Sequence, residues 1–297
     1  MKKLIVLSAI AMMLFMGFQI NRSKKIRDSG KWIQLLGDDH ANYWDVFMGV
    51  PHGTVTDLEG VDPNSDGKKG TPLGLNNDPK KVFTFEKEGE EVILHISGEI
   101  FGALSSKKEY GNYHLRLQYK WGEKNWEPRL TRPRDSGILY HCQEPHAKFW
   151  NVWMQSQEFQ IEQGNIGDLY LLSTTAMDVP AVKGEKEYNY QRGAELIEFS
   201  SSKKMPFNHC NKGFDNENPQ GEWNTLDLIC LGDSSLHVVN GKVVMALFHS
   251  RYQNNDNQMA PLKKGKIQIQ SEAAEIFYKN ISIMLINSIP KAYKNQY

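Results

Sequence analysis

The sequence predicts an all-β fold in which antiparallel strands form a two-sheet sandwich or jelly roll. From Tyr113 to Trp121, apolar or aromatic residues alternate with polar ones without a slip, which indicates a strand with one buried face. Asn240-Gly241 separates two further apolar stretches, and this dipeptide fits the two-residue type I′ turn of a β-hairpin. No segment longer than one or two turns has the period of an amphipathic helix. So many antiparallel strands in one chain favour a sandwich or jelly roll.

Other short apolar stretches add strands on both sides of these two. They run from Val92 to Ile96, Gly137 to Cys142, Glu158 to Glu162, Leu169 to Ser173, Trp223 to Leu231, Ile267 to Gln270 and Ile276 to Leu285. The stretch from Pro51 to Lys81 is rich in Gly, Pro, Asn and Asp and predicts a long loop. Residues 183–220 predict loops with one short strand near 196–199.

Charge and composition narrow the function classes. The 297 residues contain 35 Lys plus Arg and 35 Asp plus Glu, and the isoelectric point is about 7.1. This balance gives no electrostatic reason to expect nucleic acid or an anionic membrane as the main partner. Aromatic residues make up 11%, which suits both the stacking of sugars and an ordinary β core.

The N-terminus predicts export. Lys2 and Lys3 precede an apolar run from Leu4 to Phe18, which is shorter than the roughly 20 residues of a membrane span. Because no small-x-small cleavage site follows, residues 1–25 form either a signal peptide or an uncleaved N-terminal anchor. The anchor is the only membrane contact that we expect. Residues 26–297 are expected to form one domain, in the bacterial periplasm or on the cell surface.

The cysteines and one acidic loop each allow two interpretations. Cys142, Cys210 and Cys230 allow one disulfide, but buried thiols are favoured because the count is odd and no metal-ligand spacing is present. The stretch from Asp62 to Gly67 is similar to the opening of a calcium loop. Leu73 stands where such a loop needs a bidentate Glu, so a solvated turn is favoured.

The most informative strand is the one from Glu158 to Glu162. Phe159 and Ile161 point to one face, whereas Glu158, Gln160 and Glu162 point to the other and predict the wall of a groove for a polar ligand. Ordinary retaining glycoside hydrolysis needs two carboxyls about 5 to 5.5 Å apart. Gln160 stands where the partner of Glu158 would be, and Glu162 is about 13 Å away at the strand rise. Direct hydrolysis therefore requires that another strand supply the second acid.

Several segments resemble a known family when they are taken in order. They are Tyr110 to Leu115 with Gln118 to Gly122, Asp135-Ser136-Gly137-Ile138, Glu158 to Ile161, Gly221 to Thr225, Val239 to Gly241, Gly265 to Gln270 and Tyr278 to Ile281. Together they resemble the 3-keto-disaccharide hydrolase family, which includes 3-keto-glucoside 1,2-lyases and 2-hydroxy-glucal hydratases, over about residues 30–286. Asp135 replaces the usual Asn of the second segment. His141 stands where many relatives have Arg.

The resemblance implies a jelly roll similar to concanavalin A-type lectins and laminarinases, with a saccharide bound on the concave sheet. It also implies a reaction on 3-keto-glycosides: a base removes the C2 proton, an electrophile stabilises the enolate, and the C1 substituent leaves. Glu158 or His141 is the expected base. Lys120 or a divalent metal is the expected electrophile.

Other polar and aromatic side chains are expected to bind the sugar: Gln160, Gln118, Glu162, Asn224 and Trp153. Each candidate also has a structural interpretation. Glu158 pairs across strands with Lys120 and Arg116 in one alternative, and His141 is a buried structural histidine in another. A conventional glycoside hydrolase and a non-catalytic carbohydrate-binding module are the other functions that this sequence allows.

Overall fold

The computed structural model describes residues 30–203 and 207–297. The predicted signal peptide or anchor, residues 1–25, lies outside the described residues. Within them, the one helical element is a single 3₁₀ turn, His40–Asn42. No helix in this part of the chain is long and apolar enough to cross a membrane. The chain is a two-sheet antiparallel jelly roll, as the sequence predicts.

The first sheet has twelve strands in the structure. These strands are β1 (Trp32–Gln34), β4 (Phe83–Glu88), β5 (Glu91–Ile96), β7 (Tyr113–Asn125), β11 (Thr175–Lys183), β12 (Tyr188–Tyr190), β13 (Leu196–Ser200), β15 (Asn224–Leu231), β16 (Ser234–Val239), β17 (Lys242–Gln253), β18 (Met259–Pro261) and β20 (Ala274–Leu285). Its main order is β12-β11-β17-β16-β15-β7-β20-β5-β4.

The second sheet has eight strands in the order β14-β10-β9-β8-β19-β6-β2-β3. They are β2 (Trp44–Met48), β3 (Gly74–Leu75), β6 (Gly102–Ser106), β8 (Asp135–Gln143), β9 (Gln155–Glu162), β10 (Leu169–Leu172), β14 (His209–Cys210) and β19 (Lys266–Ser271). Neighbours β8, β9 and β19 lie near its centre, far from either edge, so their backbone hydrogen bonds are made on both sides.

The main core lies between the two sheets. Leu115 and Leu117 of β7 pack in the same buried cluster as Phe159 and Ile161 of β9. Alternation therefore assigns the inner faces of both strands correctly. A second apolar cluster, which includes Met177 and other residues of β11, β16 and β17, extends the twelve-stranded sheet to one side.

The predicted hairpin turn and the predicted long loop are both confirmed. Val239 pairs with Lys242, and the intervening Asn240 and Gly241 have φ of 46° and 80°, as a type I′ turn requires. The long loop of residues 51–81 contains only the short strand β3. Residues 183–220 contain β12 and β14 besides the expected β13; these extra strands are two or three residues long, too short to show a period.

The structural interpretation of the cysteines is also confirmed, and the Asp62 loop contains the Asx turn that the sequence favours. Cys142, Cys210 and Cys230 are free and buried. In the loop, Asp66 Oδ1 accepts the backbone N–H groups of Lys68 and Lys69, both at 2.9 Å. A carboxylate that caps its own turn in this way makes an Asx turn.

Candidate active site

A cavity of about 330 Å³ opens on the face of the eight-stranded sheet that points away from the core. Glu158, Gln160 and Glu162 of β9 all line it. Phe159 and Ile161, which alternate with them, lie in the inter-sheet core. The structure thus places these three polar residues on one wall, as alternation predicts. The volume is in the range of small-molecule sites.

A row of three carboxyls crosses the floor of the cavity. Glu162 pairs in register with Asp135 of β8. Ile138 of β8 pairs with Ile269 of β19, and continuing this register places Glu272, just past the end of β19, beside Asp135. Neighbouring strands thus bring together acids that are far apart in the sequence.

Arg129, in the connection between β7 and β8, holds this row together. Its Nη2 contacts Asp135 and lies 2.5 Å from Glu162 Oε1. Its Nη1 lies 3.7 Å from Glu272 Oε1. All four side chains line the cavity and are largely buried. One guanidinium therefore serves three carboxyls, which leaves the row with more acid than base.

Glu158 differs from the row because its carboxyl has no protein partner. Within residues 30–203 and 207–297, its oxygens accept no hydrogen bond and no basic nitrogen lies within 4.0 Å. The side chain is 5% exposed and extends over Gly137. A Cβ at Gly137 would lie 2.3 Å from Glu158 Oε1 and 2.2 Å from Gln270 Oε1. The side chains of Glu158 and Gln270 can therefore adopt these positions only because residue 137 is glycine.

Two amides next to Glu158 have groups free for a ligand. Gln160 Oε1 accepts the N–H of Ile161 at 3.2 Å, so its Nε2 is the group left to donate into the cavity. Gln270 Oε1 is buried without a donor in the described structure. A buried amide oxygen without a donor costs free energy unless a ligand or water supplies one.

Burial and mutual repulsion change the acidity of the carboxyls. Burial raises the pKa of Glu158 well above its usual value; the negative charge of Glu272 adds to this effect and Arg129 opposes it. Burial and Glu272 likewise raise the pKa of Asp135. Burial raises the pKa of Glu272 to about 7, where Arg129 and Lys68 limit the increase. Burial therefore makes Glu158, Asp135 and Glu272 harder to ionise than exposed carboxyls.

Aromatic residues of the loop between β8 and β9 form the opposite wall. Trp153 lines the cavity, is 1% exposed, and donates from Nε1 to the Gly102 carbonyl at 3.1 Å. Phe149 stacks on Trp150 with ring centroids 4.9 Å apart. Trp150 and Asn151 have φ of 49° and 55°, a strained conformation that the surrounding contacts maintain. Trp153 thus packs the wall, and the half-buried Trp150 is the better sugar platform.

His141 does not join the cavity, which corrects the prediction that it acts beside Glu158. The register of β8 shifts between Tyr140 and Gln143, and His141 there has φ of 51°. The bulge turns the ring against Tyr113, in the core, with centroids 5.9 Å apart. Burial lowers the pKa of His141 to about 4, so the ring is neutral at neutral pH. The structural interpretation of His141 is the correct one.

Lys120 and Gln118 lie on the outer face of β7, in the other sheet, and do not line the cavity. Lys120 Nζ lies 5.1 Å from the ring centroid of Trp223. Gln118 Nε2 donates to Thr225 Oγ1 at 3.3 Å. The prediction that these residues share a site with Glu158 is therefore wrong, because alternation gives the face of a strand and not its sheet.

Asn224 has a structural role as well. Its Oδ1 accepts hydrogen bonds from the N–H of Asn218 at 2.7 Å and from the side-chain amide of Asn240 at 2.8 Å. Asn224 thus connects the start of β15 to the turn between β16 and β17. It does not line the cavity. The cross-strand alternative for Glu158 is also wrong, since Arg116 Nε pairs with Asp227 Oδ1 at 2.6 Å on the twelve-stranded sheet.

Sequence reasoning missed Asp135, Glu272, Arg129 and Gln270. Asp135 and Gln270 each fall in a segment that carries the family resemblance, and Glu272 is two residues beyond one of these segments. Strand alternation from Gln270 would have placed Glu272 on the same face. Arg129 lies in an irregular connection, where no periodic signal exists.

No metal centre is defined among residues 30–203 and 207–297, where no group of three or more His, Cys, Asp or Glu is arranged to hold an ion. The oxygens best placed for one belong to Asp135, Glu162 and Glu272, and Arg129 already contacts all three. The guanidinium thus occupies the position that a cation would take in this row.

The family is established by comparison. Residues 32–284 match the profile of the 3-keto-alpha-glucoside-1,2-lyase-like domain, so the chain belongs to this family. This membership supports a carbohydrate-active function. A search of curated proteins gives no match.

Several solved structures are similar to this chain at low identity. A provisionally assigned glycosyl hydrolase from Parabacteroides distasonis is 19% identical, with 86% of this chain and 100% of that chain covered and a TM-score of 0.46. LamAcat from Zobellia galactanivorans is 9% identical, with 87% of this chain and 98% of that chain covered and a TM-score of 0.42. A carbohydrate-binding module from Bacillus subtilis is 9% identical, with 68% of this chain and 91% of that chain covered and a TM-score of 0.39.

Proposed function

We propose that this chain is an enzyme that cleaves or hydrates 3-keto-glycosides, with Glu158 as the base. The observation that carries the proposal is the unpaired carboxyl of Glu158, buried in a cavity whose other carboxyls are bound by Arg129. An unpaired, partly desolvated carboxylate is a stronger base than an exposed one. Family membership supports the substrate class.

The proposed reaction begins at C2 of the sugar. The C3 ketone acidifies the C2 proton, and ionised Glu158 removes it. The electron pair of the C2–H bond forms the C1–C2 double bond, and the bond from C1 to the leaving oxygen breaks. A protonated carboxyl gives that oxygen its proton; Glu272, with a pKa of about 7, is suited to this step. Addition of water to the resulting glucal completes the hydration.

The two free amide groups are suited to orient the sugar. Gln160 Nε2 donates to an oxygen of the substrate. Gln270 Oε1, which accepts no hydrogen bond within the described structure, accepts one from a sugar hydroxyl. Arg129 lies on the cavity wall, where its positive charge lowers the energy of the enolate. Trp150 supplies an apolar surface for the sugar ring.

A conventional glycoside hydrolase is the second candidate, and one observation favours it. Direct hydrolysis needs a second acid from another strand, and Asp135 and Glu272 meet that need. Hydrolysis through two carboxyls requires no ketone on the sugar. The two candidates therefore differ in the substrate that they accept.

Incubation with a 3-keto-glucoside and with its unoxidised parent separates these candidates. We expect turnover of the keto sugar alone, whereas turnover of the parent would support the conventional hydrolase. Binding of either sugar without turnover would indicate a carbohydrate-binding module and contradict the proposal. Glu158→Gln should lower the rate about 10³-fold, in the range of general-base removal. Lys120→Met, on the opposite sheet, is the control and should keep the wild-type rate.

We also propose that the protein is exported. The support is the sequence of Lys2 and Lys3 followed by the apolar run to Phe18. Fractionation of cells that make the full chain should place it outside the cytoplasm, and a cytoplasmic location would contradict this proposal.

A further inference from the structure

Lys68, in the long loop of residues 51–81, lies at the edge of the cavity. Its Nζ is 3.5 Å from the ring centroid of Trp150, which lines the cavity. The main chain at Lys68 is fixed on both sides: its N–H donates to Asp66 Oδ1 at 2.9 Å, and its carbonyl accepts from Asn151 Nδ2 at 3.1 Å. The loop thus places one ammonium group over the aromatic ring at the edge of the cavity.

This ammonium group has no acidic partner. Among the described residues, no carboxylate oxygen lies within 4.0 Å of Lys68 Nζ, and the same is true of the exposed Arg132. Burial lowers the pKa of Lys68; the charges of Arg129 and Arg132 act in the same direction, and those of Glu272 and Asp66 oppose them. Lys68 Nζ thus makes no ion pair in the described structure, and its ammonium group is available to pair with a charge on a bound ligand.

A negative charge on the sugar ring that reacts would be unfavourable in this cavity. Asp135, Glu158, Glu162 and Glu272 all line the part of the cavity where the chemistry would occur, and among the described residues Arg129 is the only basic one that lines it. A negative charge there would meet an excess of acid. An anionic group on the neighbouring part of the substrate, next to Trp150, would instead meet Lys68.

We propose that Lys68 binds an anionic substituent, a carboxylate or a sulfate-type group, on the leaving group of the glycoside. The leaving group lies beside Trp150, whose ring Lys68 Nζ covers, and its charge pairs with the ammonium group. This inference rests on the proposed function and adds a substrate class to it: acidic rather than neutral 3-keto-glycosides. Lys68 is then a specificity-determining residue.

The test compares three aryl 3-keto-glucosides that differ only in the para substituent: a neutral amide, a carboxylate and a sulfonate. For wild-type protein at low salt, we expect kcat/KM to be about tenfold higher for both charged substrates than for the neutral one. This advantage should shrink as salt is added. A preference for only one of the two anions would identify which anion the site takes.

Substitutions locate the effect. Lys68→Met should remove the roughly tenfold advantage of the charged substrates. Lys69→Met is the matched control, because Lys69 is 90% exposed and pairs loosely with Asp66 at 3.9 Å. It should keep the wild-type preference.

Two results would overturn the inference while leaving the proposed function intact. One is equal turnover of charged and neutral substrates by wild-type protein. The other is a Lys68→Met variant that slows all three substrates by the same factor, which would show an effect through Glu272 or Trp150 alone. If no 3-keto-glucoside reacts, the proposed function fails. Calorimetric binding of the three aryl glucosides to wild-type and Lys68→Met protein then tests the anion site alone, and equal affinities would overturn it.

Discussion

Glu158 and Gly137 lie on adjacent strands, and the carboxyl of Glu158 fills the space that a side chain at 137 would need. A Cβ on Gly137 would be 2.3 Å from Glu158 Oε1. The same position is 2.2 Å from Gln270 Oε1, so one glycine admits two polar side chains to the cavity. These distances are well below van der Waals contact, so a side chain at 137 forces both groups to move.

Gly137→Ala should therefore displace the proposed base without unfolding the protein. The atoms in conflict are the ends of flexible side chains, so the strand itself need not shift. We expect kcat for the 3-keto-glucoside to fall at least about 10²-fold, because a displacement of about 1 Å in a catalytic group has effects of this size. Steady-state kinetics and thermal unfolding of the same preparation measure both quantities.

Gly37→Ala is the control for this substitution. A Cβ at Gly37 would meet only Asp39 Oδ1, at 3.4 Å, far from the cavity. Its kinetics should match those of wild-type protein. Wild-type kinetics in Gly137→Ala as well would mean that the position of Glu158 does not matter to the reaction.

Removal of Arg129 should destabilise the protein. Arg129→Met leaves Asp135, Glu162 and Glu272 without a counter-charge in a buried site. Loss of one partner from a buried ion pair typically costs about 3 to 5 kcal/mol. We expect the free energy of unfolding at pH 7, measured in denaturant, to fall by about 3 kcal/mol, and the loss to shrink at lower pH as the carboxyls become protonated.

Arg134→Met is a matched comparison in the same connection. Arg134 donates to Gln163 Oε1 at 3.0 Å and to the Glu123 carbonyl at 3.4 Å, but pairs with no acid in the described structure. Its loss should cost about 1 kcal/mol, as for a hydrogen bond without an ion pair. Equal losses in both variants would mean that Arg129 is not a counter-ion for the row.

Glu272 should make stability depend on pH. Burial raises its pKa from 4.5 to about 7, so the folded state binds this proton more tightly than the unfolded state. The contribution is complete below about pH 4.5 and is lost as the pH rises through about 7. One such proton changes the free energy of unfolding by at most about 1.4 kcal/mol per pH unit. Glu272→Gln should flatten the decline in stability between these two values, measured by denaturant unfolding across the range.

Glu275→Gln is the control, because the pKa of Glu275 shifts in the opposite direction. Burial alone would raise it, but hydrogen bonds from the backbone of Glu123 and Lys124 and from His95 outweigh burial and lower it. Its contribution to stability is therefore lost below about pH 4.5, outside the range that Glu272 controls. A slope that Glu272→Gln leaves unchanged would rule out Glu272 as its source.

Alternation along single strands predicts the part of the site that one strand supplies. It places Glu158, Gln160 and Glu162 on one wall and Phe159 in the core, as the structure has them. The same rule applied to Lys120 gives the right face of β7 but the wrong sheet. Sheet membership depends on pairing between distant strands, which no single strand encodes.

The remaining errors come from features that the sequence does not reveal locally. His141 is expected to act as a base because it stands where many relatives have Arg, but a bulge in β8, which no local sequence signal marks, turns its ring into the core. Asp135 and Glu272 meet only through the registers of three strands, and Arg129 reaches them from an irregular connection. Registers and loop paths are tertiary properties, so the acid row emerges only in the folded chain.

The most direct test of the central claim follows the hydrogen on C2. A 3-keto-glucoside that carries deuterium at C2 would be converted by the enzyme in ordinary water, and the product examined by mass spectrometry and NMR. If Glu158 abstracts this proton and the leaving group then departs by elimination, the deuterium is lost to solvent and the reaction slows relative to the protiated substrate. A product that retains the C2 deuterium, formed at an unchanged rate, would contradict proton abstraction and identify direct hydrolysis at C1.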